Sequence, residues 1–475
     1  MTDIALAISH LSIRNRNGVA LVDDVSLSVP CGSVLTLIGE TGSGKSLIAQ
    51  AVFGLLPPEL AVSGTIAIAG KDPVSASNAH TLSMLWREQI MLIPQEPSLA
   101  LDPTMKVRRQ MALAGMAESA IAPALRDFDL PESAGNAYPF ALSGGMAQRV
   151  LVASALGVGA PIVIADEPTK GLDADRVTQA IAALGQLAAA GRSLLVITHN
   201  RRVAEELPGD IAIIHEGRIV EQGKGDTLLS APASEYARNW LAADPRHWPR
   251  CRRCCDMTHL ALSAHDLAFG WPGQPKLFRD LELHLPKGGV LAVSGPSGSG
   301  KTTLGDILLG LRKPLVGSIE WGGIDIVADP SAIQLNRQRY QKLHQDPAKA
   351  FAPHMTLGRQ FRALQEIKRG LSVARDLPPL LDHLQVKADL LSRRPAEISG
   401  GEAQRLALAR ILLLDPIAIV ADEPTSRLDP VVQRATMLLL RATVEQRGLG
   451  MIVIGHDKAV LKAIADDHLE LAVMH

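Results

Sequence analysis

The stretch "GETGSGKS" runs from Gly39 to Ser46 and "GPSGSGKT" from Gly295 to Thr302, a step of 295 − 39 = 256 positions. The step recurs. "LSGGM" and "ISGGE" place Ser143 and Ser399 at 399 − 143 = 256, and the two "ADEP" runs place Asp166 and Asp422 at 422 − 166 = 256. The openings "MTDIALAISHL" at Met1 and "MTHLALSAHDL" at Met257 keep it too (257 − 1 = 256). A period this long indicates duplicated domains, since solenoid repeats span only about 20–50 residues. With 475 residues the chain exceeds one ordinary core. The reading is a first domain at 1–245, a seam at 246–257 and a second domain at 258–475.

Composition excludes several classes. The net charge of −1 gives no bulk attraction to nucleic acid, and 3% aromatics leave little for base stacking. No apolar run reaches the roughly 20 residues needed to span a bilayer, and the N-terminus, with Asp3 and no apolar core, is not a signal peptide. Four cysteines in so long a chain make no disulfide framework, which suits a reducing compartment.

Each glycine-rich loop follows an apolar strand, "VLTLI" or "VLAVS", and precedes a helix-compatible run. That context marks a phosphate loop. The loop residues are Gly39, Glu40, Thr41, Gly42, Ser43, Gly44, Lys45 and Ser46 in the first half. In the second they are Gly295, Pro296, Ser297, Gly298, Ser299, Gly300, Lys301, Thr302 and Thr303. Their N–H groups and the helix dipole favour a bound phosphate. Lys45 and Lys301 are expected at the β- and γ-phosphates, with the Ser46 and Thr302 hydroxyls on Mg²⁺. The strands "PIVIADEP" and "PIAIVADEP" end in paired carboxylates. Asp166 and Asp422 are expected to hold the metal, and Glu167 and Glu423 to act as general bases on water.

These residues carry a family resemblance over nearly the whole chain: both halves resemble ATP-binding-cassette ATPase domains. "LSGGMAQR" (with Ser143, Gly144 and Gly145) and "ISGGEAQR" (with Ser399, Gly400 and Gly401) resemble the family signature. Gln95 and Gln345 resemble the Q-loop glutamine, a metal-site candidate. His199 and His456 resemble the switch histidine, and "GLD" from Gly171 and "RLD" from Arg427 the D-loop. The resemblance implies an α/β fold with two P-loop NTPase cassettes, each a RecA-like parallel-sheet core with an antiparallel β subdomain and a helical subdomain. It also implies head-to-tail pairing of the cassettes around two ATP molecules, each phosphate loop facing the other half's signature.

The Q-loop surroundings "PQEPSLALDPTMKV" and "HQDPAKAFAPHMTL" are similar to those of peptide and nickel importers. This implies two membrane permeases and a periplasmic solute-binding protein as separate partners, a peripheral place on the cytoplasmic face of the inner membrane, and no nucleic acid. The stretches 96–141 and 346–397 would meet the permeases. The alternative is a soluble tandem ATPase, an accessory to phosphonate breakdown or one acting on ribosomes or DNA. The seam holds Cys251, Cys254 and Cys255. Three cysteines leave a four-ligand metal site one donor short, to be supplied by His247, His259 or another group. The seam reads more simply as a junction of two fused subunits.

The halves differ where the family carries an adenine-stacking aromatic. Trp271 stands 295 − 271 = 24 positions before its loop, whereas Asn15 stands 39 − 15 = 24 before the other. Stacking contributes about 1–3 kcal/mol. Nucleotide affinity is therefore expected to be lower at the first loop. Affinities measured with Lys45 and Lys301 mutated in turn check this, and tighter binding at the Asn15 site would contradict it.

Overall fold

The computed structural model describes every residue except 1–2, 41, 87–88, 96, 143, 170–173, 250–257, 297, 426–427 and 473–475. The chain divides into two units, Met1–Leu241 and Ala242–His475.

In the first unit, β1 (Ile4–Arg14), β2 (Ala20–Pro30), β4 (Ala61–Ile68) and β5 (Val74–Ser75) form an antiparallel sheet in the order β2-β1-β4-β5. Alternating burial along β2 gives it one core face and one wet face. The second sheet is built around β3 (Val34–Gly39), β6 (Ile90–Ile93), β7 (Ile162–Asp166) and β8 (Ser193–Thr198). With β9 (Asp210–His215) and β10 (Arg218–Lys224) its order is β10-β9-β3-β8-β7-β6. The run "VLTLIG" of β3 is buried at every position, as a central parallel strand requires. Helices between 97 and 158 pack a separate apolar cluster around Met111, Ile121, Leu125 and Val150.

The second unit repeats the plan. Its antiparallel sheet is β12-β11-β14-β15, from β11 (Leu260–Gly270), β12 (Lys276–Pro286), β14 (Val316–Trp321) and β15 (Ile324–Asp325). Its other sheet is β16-β17-β18-β13-β19, from β13 (Val290–Ser294), β16 (Tyr340–Leu343), β17 (Ala418–Asp422), β18 (Gly450–Ile454) and β19 (Asp467–Glu470). β1 and β11, and β2 and β12, are related by the same 256-residue step seen in the sequence (260 − 4 and 276 − 20).

Residues 242–245, read with the first domain in the sequence, fall with the second unit in the structure. Trp248 from the seam is 4% exposed and joins the core cluster of Val290, Leu461 and Ile464. Its indole Nε1 donates to Ala243 O at 2.9 Å. A buried indole on a satisfied N–H is an anchor rather than a loose linker residue.

One buried charge ties the second unit's helix Pro430–Arg447 to its sheet. The Arg441 side chain is 2% exposed and grips Asp466 bidentately, at 2.6 Å and 3.0 Å. It also donates to Glu445 Oε1 at 2.8 Å and Ile464 O at 3.1 Å. Asp466 Oδ2 in turn accepts the Val290 N–H at 2.8 Å, at the start of β13. Breaking a buried pair from one side typically costs about 3–5 kcal/mol. Arg441→Ala is expected to destabilise the second unit by roughly 3 kcal/mol or more. The exposed Arg202–Glu206 pair is the control, with Arg202→Ala shifting stability by about 1 kcal/mol or less. Urea unfolding of the two variants checks the contrast.

Candidate functional site

The order β3-β8-β7 brings three strand ends to one place in the first unit. Ile38 of β3 pairs with Thr198 of β8, and Ile197 of β8 with Asp166 of β7. The phosphate loop, the Asp166–Glu167 pair and His199 therefore emerge together from the carboxyl end of a parallel sheet, where ligands of such sheets bind. The second unit does the same through Val293↔Ile454 and Asp422↔Ile454.

Gly39 cannot carry a side chain: a Cβ there would lie 2.4 Å from Ile214 O of β9. Gly295 is equally constrained, at 2.5 Å from Leu471 O. Each loop is thus seated directly on the neighbouring backbone. Lys45 is 5% exposed, and its Nζ donates to Gly39 O at 2.8 Å and Glu40 O at 2.7 Å. Lys301 is 6% exposed and donates to Gly295 O at 2.8 Å and Pro296 O at 2.9 Å. Burial pushes the Lys301 ammonium below its ordinary pKa, against the opposing pull of Glu423 and Asp422. Ser43 Oγ braces the first loop by donating to Glu40 O at 2.9 Å.

Ser46 Oγ donates to Asp166 Oδ1 at 3.1 Å, and Thr302 Oγ1 to Asp422 Oδ1 at 3.2 Å. A hydroxyl beside a carboxylate is a hard-oxygen donor set, which fits Mg²⁺. In the second unit a residue that the sequence reading missed intrudes. Lys342 Nζ of β16 lies 3.3 Å from Asp422 Oδ2 and 2.8 Å from Asp306 Oδ1. Its counterpart in β6, by the alignment of Gln95 with Gln345, is the neutral Leu92.

Glu167 and Glu423 sit in the left-handed backbone region, at φ 50 and φ 46. For a glutamate this costs about 1–3 kcal/mol. The turn is held because Glu167 N donates to Ile197 O at 2.8 Å and Glu423 N to Ile454 O at 2.9 Å. His199 Nδ1 lies 2.8 Å from Glu167 Oε2. His456 Nε2 contacts Glu423 Oε1, and Gln345 Nε2 donates to Glu423 Oε2 at 2.6 Å. The glutamate, the histidine and, in the second unit, the glutamine therefore converge. Gln95 is partly buried just beyond the end of β6, the position corresponding to Gln345.

Ser399 caps the helix Gly400–Leu412. Its Oγ donates to Glu402 Oε2 at 2.8 Å, and Glu402 returns its N–H to Ser399 Oγ at 3.3 Å. Gly400 and Gly401 form that helix's first turn, as Gly144 and Gly145 do in Gly144–Val158. Asp429 also proves to be a cap, accepting from Val431 N at 3.0 Å and Val432 N at 3.1 Å. Thr41, Ser143, Ser297, the Gly171–Asp173 run, Arg427, and Cys251, Cys254 and Cys255 lie outside the described residues.

Trp271 is 40% exposed just after β11, with the Arg312 guanidinium stacked over its ring at 4.5 Å. Asn15 organises its own turn: its Oδ1 accepts from Asn17 N and Val19 N, both at 3.0 Å. Arg14 and Arg16 pair with Asp23 and Glu59 at 3.5 Å each.

The family described as "ABC transporter" matches residues 22–170 and 278–426, more than half of the chain. The chain belongs to the ABC transporter family. Curated relatives match along both cassettes. "Peptidoglycan transport ATP-binding protein YejF" of Agrobacterium fabrum is 33% identical, over 98% of this chain and 90% of its own length. "Glutathione import ATP-binding protein GsiA" of Escherichia coli is 30% identical, over 99% of this chain and 84% of its own. Among solved structures, "RNase-L Inhibitor" covers 97% of this chain and 87% of its own at TM-score 0.64 and 21% identity, a likeness of fold. The chain is a tandem-cassette ABC ATP-binding protein, and its activity is ATP hydrolysis.

Burial pushes the Glu167 carboxyl up, but His199 and the Lys45 charge outweigh it and hold the group below its ordinary 4.5. A depressed folded-state pKa contributes stability that is present above the unfolded value and lost as pH falls through the folded one. Glu167→Gln is therefore expected to lose stability above about pH 5, and the deficit should shrink as the pH falls below 4.5. Denaturation of both proteins across pH 3–8 checks the sign.

Proposed function

We propose that this chain is the ATP-hydrolysing subunit of an importer for small peptide-bearing solutes. The observation that carries the proposal is the match across both cassettes to proteins named for peptidoglycan transport and glutathione import, two cargoes that share short peptides. The partners are two integral-membrane permeases and a solute-binding protein, and the chain sits peripherally on the cytoplasmic face of the inner membrane. Among the described residues no helix is long and apolar enough to cross a membrane, in keeping with separate permeases. The helical segments 96–141 and 346–397 are the permease-facing surfaces. Phe140, 78% exposed and stacked on Tyr138, sits on the first of them. The stretch around Cys251 is the junction of two fused subunits.

Lys45, Ser46, Gln95, Asp166, Glu167 and His199 make up the first unit's site, and Lys301, Thr302, Gln345, Asp422, Glu423 and His456 the second's. In each, the loop N–H groups and lysine bind the β- and γ-phosphates. The glutamate takes the proton of the attacking water, and the histidine holds that carboxylate in position. Mg²⁺, held by Ser46 and Asp166 or by Thr302 and Asp422, supplies charge neutralisation at the phosphate oxygens.

The test is co-purification followed by reconstitution in vesicles. ATPase activity is expected to rise when a peptide-loaded binding protein is added. The double variant Glu167→Gln with Glu423→Gln should lose about 10²–10⁴-fold in turnover while still retaining ATP. A chain that instead co-sediments with ribosomes and ignores permeases overturns the assignment.

A further inference from the structure

Away from both phosphate loops, the wet face of the second unit's antiparallel sheet gathers His265 of β11 with Glu282 and His284 of β12. A donor atom from each lies within 4.8 Å of the others. His265 Nδ1 stands 2.9 Å from Glu282 Oε2, and the two imidazole rings are 5.3 Å apart. The strand register places them: Ser263 pairs with His284 and Leu267 with Leu281, which sets all three side chains on one face.

Glu282 is aimed. Its Oε1 accepts the Asp266 N–H at 2.8 Å, at the bulge where Asp266 takes φ 52, and so Oε2 is left toward the histidine. The Asp266 hydrogen bond, assisted by His265 and His284, also keeps this carboxyl below its ordinary pKa. A carboxylate oriented by backbone is the kind of outer support metal ligands have.

The first unit supplies an internal comparison. At the 256-residue step the three positions are Ser9, Ser26 and Ser28. There Ser26 Oγ accepts His10 N at 3.0 Å, so a serine alone satisfies the same bulge. The fold does not require a glutamate flanked by two histidines on this hairpin. A role in folding leaves both imidazoles unexplained.

We propose that His265, Glu282 and His284 form a binding site for a late first-row divalent cation, Zn²⁺, Ni²⁺ or Cu²⁺. Two imidazole nitrogens and one carboxylate oxygen match those ions and not Mg²⁺ or Ca²⁺, which select oxygen. Three protein ligands leave further positions to water, as in open zinc sites. The ion takes the place of the proton shared by His265 and Glu282. Donor atoms then close on it to about 2.0–2.2 Å, a movement within reach of exposed side chains on a paired backbone. Bound, it staples β11 to β12 across their hairpin.

The test uses the full chain, stripped with a chelator and dialysed against Zn²⁺ or Cu²⁺ without nucleotide. It is compared with the triple variant His265→Ser, Glu282→Ser, His284→Ser, which copies the first unit's residues and should fold. Cysteines and phosphate loops are common to both, so their metal cancels. The native chain is expected to bind one equivalent more, with nitrogen coupling in the Cu²⁺ spin-resonance spectrum that the variant loses. Glu282→Gln should weaken binding by about 10–100-fold. Equal stoichiometry and affinity in the native chain and the triple variant, both retaining ATPase activity, overturn the proposal.

Discussion

Each site depends on an ammonium group kept in place by its own loop. Lys45 and Lys301 are nearly buried, and their Nζ atoms rest on the carbonyls of Gly39 and Glu40 or Gly295 and Pro296. Neutral carbonyls return only part of what a cation loses on leaving water. The depressed pKa of Lys301 records that deficit. A phosphate anion arriving at the loop supplies what is lacking. The geometry that holds the lysine is set by the glycines seated on β9 and the chain after β19, and so by the sheet order itself.

Much of this was legible because it is local. The apolar runs before Gly39 and Gly295 had to be central strands, and the carboxylates after "PIVIA" and "PIAIVA" had to lie at their ends. The Ser399–Glu402 capping box was legible too, as a Ser-x-x-Glu pattern before an apolar run. Read only as part of the family signature, Glu402 did not reveal that role. What stayed hidden depends on distant contacts. Arg441 reads as one more helix arginine until Asp466, 466 − 441 = 25 positions on, arrives beneath it. Lys342 looks like a polar residue on a short strand until β17 delivers Asp422 alongside. Trp248 sits in a stretch that reads as a mere junction, yet it belongs to the same buried cluster as Leu461. Burial of such residues follows from strand order, which periodicity along one segment does not encode.

The two halves share a backbone plan more closely than they share side chains, and the differences fall around the chemistry. The first half lacks the aromatic and spends Asn15 on its turn, but Leu92 stands where the second half has Lys342. The second half has Trp271 for the base, yet its Asp422 already faces a lysine. Its Ser399 hydroxyl already serves a carboxylate. Features that favour holding a base and features that favour a metal-bound phosphate are thus divided between the halves.

Within the second unit the cap on Ser399 sets an order of events. Its hydroxyl donates to Glu402, so it can donate to an anion only after that carboxylate lets go. Its capping bonds are exposed and worth about 1 kcal/mol together with the helix they start. A hydrogen bond to a charged group contributes about 1.5–3 kcal/mol, so an arriving anion outcompetes the cap. In the first half Met146 stands where the second has Glu402, and it has no carboxylate to offer. The two signature helices therefore begin on different terms although their backbones follow one plan.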